Sequence, residues 1–136
     1  AKAGYESIHN THYWLYNDFI GCGSGATGLI NSKYRYTNSY NIKEYITSSD
    51  LIHVREDLEV SDNKTEYMIM GLRLLRGVNL IDYTFRFGTI IQLDFDISKI
   101  LSDNLVEIKD GCLRLTNKGL LLANIVWEVF VDWEKK

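Results

Sequence analysis

The alternation of apolar and polar positions is clearest in the second half of the chain. Asn63 stands three residues before Glu66, a cap-like pair that can satisfy free amides at a helix start. Met68, Leu72 and Leu75 follow at helical spacing, and Gly77 can end the run in a left-handed cap. This predicts a helix over 64–76. A second short helix is expected from Asn79 to Gly88, and a third from Ile97 to Leu101 with Ser98 near its start. Val106-Glu107-Ile108 and Leu113-Arg114-Leu115 flank Asp110-Gly111, a strong hairpin signal. Thr116 can cap a final helix in which Leu122, Val126, Val129 and Trp133 share one face, more in keeping with core than with an interface. Asn124, Glu128 and Asp132 share the other. Three helices, a hairpin and a helix are the order of a winged-helix-like module.

The first half is less periodic. Phe19-Ile20 leads into Gly21-Cys22-Gly23-Ser24-Gly25-Ala26-Thr27-Gly28, which reads as a short strand entering a glycine-rich loop. Tyr34 and Tyr36 flank one strand face, and Tyr40 to Ile46 begin a short helix. Residues 51–62 form a charged run in which His53 reads as a solvated side chain.

Composition narrows the class. The chain has 136 residues, 46% of them apolar, which suits one soluble domain. Its net charge of −3, from 15 basic and 18 acidic residues, provides no broad basic field for nucleic acid. DNA binding by a winged helix is therefore disfavoured. The two cysteines, Cys22 and Cys112, make neither a zinc pattern nor a disulfide framework and suit a reducing cytoplasm. Cys22 has no base partner in sight. The apolar stretch 120–131 is interrupted by Asn124 and Glu128 and is too short for a membrane span. The chain contains no proline; separately, it starts at Ala1 without an initiator Met or a signal-like apolar core, so a fragment of a larger protein is expected.

Two segments carry candidate chemistry. Gly23-x-Gly25-x-x-Gly28 has the spacing of a dinucleotide fingerprint, but Leu29 to Arg35 shows no helical period, which argues against that role. A tight turn, or close backbone approach to an anionic or nucleotide-like ligand, both remain. His9, His12, Tyr13 and Trp14 lie within six residues and could bind a flat aromatic ligand, with imidazole to iron and the rings packing. Composition alone favours the plainer reading, with Tyr13 and Trp14 as core and His9 as a structural histidine.

The stretch 4–14, ending His9-Asn10-Thr11-His12-Tyr13-Trp14, and then Asp18 to Ala26, resembles the C-terminal third of a known family. This is the oxygen-independent coproporphyrinogen III oxidase family of radical S-adenosylmethionine proteins. The pattern H-N-x-x-Y-W followed by G-x-G-x-G-A is closest to its haem-chaperone branch. Arg35 and Asn38 resemble the family's R-x-x-N, residues 66–74 its E-x-hydrophobic-G-L-R helix, and Leu115-Thr116-Asn117-Lys118-Gly119 its terminal L-T-x-x-G.

The resemblance implies an α+β fold. Residues 1–30 would be the last strand and loop of a partial TIM-like barrel, and residues 31–136 a mainly helical, winged-helix-like C-terminal domain. It implies haem binding at His9, with Tyr13 and Trp14 as packing partners. It implies that Gly23, Gly25 and Ala26 approach S-adenosylmethionine. The parent would also hold a [4Fe–4S] cluster, but the family's C-x3-C-x2-C triad is absent from this sequence, so its ligands would lie outside it. The family commonly has Pro at Ser24 and His at Thr27. Haem delivery to an acceptor protein is the favoured function. The alternatives are anaerobic decarboxylation of coproporphyrinogen III and a winged-helix interaction module without a small-molecule role. Without the barrel, residues 1–30 could exchange between two chains as a homodimer.

Overall fold

The computed structural model describes residue 2 and residues 4–131. The chain is α+β, as expected, and divides into two compact units, residues 1–63 and 64–136.

The first unit opens with helix α1, Ile8–Trp14, capped by Ser7, whose Oγ accepts from the Asn10 N–H at 3.3 Å. Strands β1 (Thr27–Ile30), β2 (Tyr34–Asn38) and β3 (Ile52–Asp57) form an antiparallel sheet in the order β1-β2-β3. Helix α2, Ile42–Thr47, sits in the β2–β3 connection and is capped by Asn41. Phe19 joins the sheet by a single bridge to Leu29 rather than as part of a strand. The β1–β2 turn places Asn31 and Ser32 at positive φ. Asp18 holds it, its carboxylate accepting from the Asn31 N–H at 2.6 Å and the Ser32 N–H at 3.2 Å. Residue 30 therefore ends β1 within a hairpin, and the compact unit continues to residue 63. The first half of the charged run, Ile52–Asp57, is an edge strand exposed at all six positions, and its remainder leads into a helix. Charges at a sheet edge discourage pairing with other chains, which explains their density there.

Helix α3, Val60–Gly71, begins four residues earlier than its apolar period and ends five sooner than expected. Asp62, not Asn63, serves its start, accepting from the Glu59 N–H at 3.2 Å. At its end, a Cβ on Gly71 would lie 2.5 Å from Val78 Cγ2, so glycine admits the strand that follows.

The second unit contains β4 (Val78–Asn79), α4 (Leu80–Phe87), α5 (Ile91–Asp94), α6 (Ser98–Ser102), β5 (Val106–Lys109), β6 (Cys112–Leu115), α7 (Asn117–Leu121) and α8 (Ala123–Val131). Helix α4 has the expected limits, with Asn79 accepting from Ile81 and Asp82 N–H groups and Gly88 at φ 69°. The expected hairpin is β5–β6. Asp110 and Gly111 both have positive φ, as its two-residue turn requires. Strand β4, too short to show a period, completes a sheet ordered β4-β6-β5.

The final helix is two helices rather than one. Thr116 caps α7 by accepting from the Gly119 N–H at 3.0 Å. A Cβ on Gly119 would overlap the Leu105 carbonyl, so the L-T-x-x-G motif is a cap plus a close backbone approach. Val126 and Phe130 aim α8 inward, both with no exposed surface, and the two directions meet at Leu122. Leu122 is exposed, Val129 is half-buried, and Trp133 lies outside the described residues.

The core of this unit is built on Met68, Leu72, Tyr83, Ile91, Leu113 and Phe130. One ion pair is enclosed beside it. Lys64 Nζ lies 2.7 Å from Asp94 Oδ1, and the Tyr83 hydroxyl donates to Asp94 Oδ2 at 2.7 Å. No helix among the described residues is long and apolar enough to cross a membrane.

Candidate functional site

Helix α1 turns one face, Ile8, His9, His12 and Tyr13, toward Asp18, Phe19, Ile20 and Ile30, and between them runs an open groove of about 970 Å³. The i, i+4 relation puts His9 and Tyr13 on that face, their rings 4.9 Å apart and edge-on. Tyr13 in turn meets Phe19 edge-on at 4.6 Å. Phe19 is a groove residue that the sequence pattern did not single out; its place is set by the bridge to Leu29. Trp14 is half-buried and lies about 140° round the helix from His9. It does not line the groove. The structure thus brings His9 and Tyr13 together and sets Trp14 apart.

The two histidines differ in what their nitrogens do. His12 Nε2 lies 2.9 Å from the Asp18 carbonyl, and its Nδ1 lies 3.4 Å from the Asn17 amide nitrogen. Asn17 donates to Nδ1, so Nε2 carries the proton that meets Asp18 O. His9 is exposed, and among the described residues its ring makes an edge contact with Tyr13 but no hydrogen bond. Its imidazole is available as an acceptor or ligand.

The glycine loop follows directly on Ile20. It is held by side chains that sequence reading had not assigned to it. Gly28 lacks the Cβ that would collide with the Tyr36 ring, so Tyr36 crosses β1 and its hydroxyl accepts from the Gly21 N–H at 3.0 Å. Asn38, almost fully buried, donates to the Gly21 and Gly23 carbonyls at 3.0 and 2.9 Å. The Arg35-x-x-Asn38 motif was the available signal for this clamp. The N–H groups of Gly23, Gly25 and Ala26 donate to Tyr45 Oη, Ser39 O and Gly23 O. They are not free to hold an anion. At Gly23, with φ 113°, a Cβ would meet nothing within 4 Å, so the loop presents open, side-chain-free backbone there. Gly28 extends into β1 instead of opening a helix, which removes the dinucleotide reading.

The described residues contain no group of three His, Cys, Asp or Glu side chains able to hold a metal. Cys22 is exposed and Cys112 partly so, and each is a free thiol.

The HemN C-terminal domain family matches residues 61–122. The heme chaperone HemW of Bacillus subtilis (strain 168) is 34% identical, over 96% of this chain and 36% of its own length. HemW of Escherichia coli (strain K12) is 29% identical over the same shares. Among solved structures, coproporphyrinogen III oxidase (HemN) from Escherichia coli, described as a radical SAM enzyme, superposes with a TM-score of 0.66. It is 17% identical, and the match covers 84% of this chain and 28% of that one, so it speaks to the fold. The chain spans about a third of the length of the curated relatives it matches. Residues 61–122 thus match the HemN C-terminal domain family, and over nearly all its length the chain is similar to heme chaperones named HemW.

Proposed function

We propose that this chain is part of a cytoplasmic haem-binding protein that carries haem to an acceptor protein, with His9 as the iron ligand. The carrying observation is the His9 imidazole. It stands edge-on to Tyr13 in the lining of an apolar groove and, among the described residues, neither of its nitrogens is hydrogen-bonded, while those of His12 are occupied. Tyr13 supplies an aromatic wall. Trp14 is half-buried outside the groove lining.

Charge supports haem over coproporphyrinogen III as the cargo. The lining contains one carboxylate, Asp18, and no Lys or Arg. Haem has a vinyl-bearing edge without propionates, whereas coproporphyrinogen III carries a propionate on every pyrrole. A groove without cations accommodates the former and leaves the latter's carboxylates unpaired.

The family resemblance further assigns S-adenosylmethionine to Gly23, Gly25 and Ala26. Their contribution is a flat backbone wall against which a nucleoside can pack, because their N–H groups are already used. A [4Fe–4S] cluster does not fit this chain, whose two cysteines, Cys22 and Cys112, supply too few thiolates for it. The strand order β4-β6-β5, with α3 ahead of it and α4 to α6 between β4 and β5, supports a winged-helix-like reading of the second unit. Residues 1–30 are read by resemblance as the end of a partial barrel.

Hemin titration of the chain tests the ligand. His9→Ala is expected to weaken binding at least about tenfold, or about 1.4 kcal/mol, and to alter the Soret band. His12→Ala should leave the Soret position unchanged. Iron coproporphyrin III should bind about tenfold more weakly than hemin. An unaltered Soret response in His9→Ala removes the ligand assignment, and equal affinity for the two porphyrins removes the preference for haem.

A further inference from the structure

Helix α1 ends on a residue that breaks a backbone rule. Tyr16 has φ 54°, in the left-handed region where a Cβ is unfavourable and glycine is at ease. It stands just past the cap residue Leu15. There its N–H donates to Tyr13 O at 2.9 Å, and the Asn17 N–H to His12 O at 3.4 Å. This two-bond closure ordinarily recruits glycine. Tyrosine is held in it by its side chain, which is 3% exposed and whose hydroxyl donates to Asn63 Oδ1 at 2.9 Å. Asn63, 9% exposed, is fixed from its other end by donating to the Glu59 carbonyl at 3.0 Å. Both residues belong to the first unit.

We propose that Tyr16 and Asn63 form a latch that fixes the placement of α1, and with it the position of His9 at the groove. The inference rests on the reading of His9 as the haem ligand and adds a positioning pair to it. The carbonyls that accept the closing bonds belong to His12 and Tyr13, two groove residues. A seven-residue helix cannot maintain itself, so its ends set its orientation. Ser7 secures the start and Tyr16 the end. Backbone strain persists where the surroundings over-determine it, and here it persists at the helix that carries the candidate ligand.

The experiment uses the whole chain, hemin as the probe, and the variants Tyr16→Phe, Asn63→Leu, their double, and His9→Ala. Phenylalanine retains the ring and removes the hydroxyl; leucine removes the acceptor. Each single variant is expected to bind hemin about tenfold more weakly and to replace the wild-type Soret band by a mixture. The double variant should bind no worse than either single, because members of one contact are not additive. It should also unfold at close to the wild-type urea midpoint, since no buried polar group is left without its partner. Binding loss and stability loss then separate. Wild-type spectra and affinity in Tyr16→Phe and Asn63→Leu, with His9→Ala impaired, overturn the latch and leave the ligand standing. So do binding losses that track stability in all three latch variants. Wild-type behaviour of His9→Ala overturns the ligand assignment, and the latch with it.

Discussion

Replacing Asp94 by alanine is expected to destabilise the second unit by about 3–5 kcal/mol, the usual cost of removing one member of a buried pair. Asp94 is the shared acceptor for Lys64 Nζ and the Tyr83 hydroxyl, each at 2.7 Å. The side chains of Lys64 and Asp94 are 14% and 10% exposed. Removing the carboxylate strands an ammonium and a phenol away from water, and the loss exceeds what the pair contributes net. The double variant Lys64→Met/Asp94→Leu should recover most of the stability, because no charge is then left unpaired. Urea unfolding of the wild type and these two variants checks this. A loss below about 1 kcal/mol for Asp94→Ala places the pair with ordinary surface ion pairs and sinks the argument. The same cluster sets an alkaline limit. Burial, then donation to Asp94, raises the Tyr83 phenol well above its ordinary value of 10.0. The unfolded chain releases this proton near pH 10 and the folded chain retains it. The stability contributed is therefore complete below pH 10 and declines as the pH rises beyond it. Tyr83→Phe should remove that part of the slope in unfolding measured between about pH 9 and 11.

Phe130→Ala is the second large effect, expected at about 3–5 kcal/mol. The side chain has no exposed surface and meets Phe95 edge-on at 5.0 Å. The Phe130 carbonyl also accepts from Thr65 Oγ1 at 3.0 Å, which ties α8 to α3. Truncation removes the ring's transfer energy and opens a cavity between elements pinned by that bond, so collapse around it is limited. By contrast Leu121→Ala, at a side chain 85% exposed, should fall within about 0.5 kcal/mol. Thermal or urea unfolding of the two variants decides. A Phe130→Ala loss no larger than that of Leu121→Ala contradicts the assignment of Phe130 to the core.

Local chemistry was readable wherever a few adjacent residues dictate the backbone. Asn79 and Gly88 bracket α4, Asp110-Gly111 closes the β5–β6 hairpin, and Thr116 caps α7, because each acts on neighbours in sequence. The His9–Tyr13 pairing follows from i, i+4 spacing only once α1 exists, and that helix was not among the elements expected from the sequence. The glycine run itself marked the loop, whereas the Tyr36 and Asn38 side chains that hold it were seen only in the fold.

Contacts between distant positions were not readable. Asn63 looked like a cap, yet it sits inside α3 bonded to Tyr16, 47 residues away. Nothing in the local pattern marks Asp94, yet Lys64 and Tyr83 enclose it. The single apolar stripe of the C-terminal segment divided at Leu122, because Gly119 must meet Leu105 while Phe130 must reach the core. Short-range hydrogen bonding and side-chain period are properties of a local segment. Which polar group is enclosed, which glycine is approached and which histidine retains free nitrogens depend on neighbours supplied by the folded chain from elsewhere.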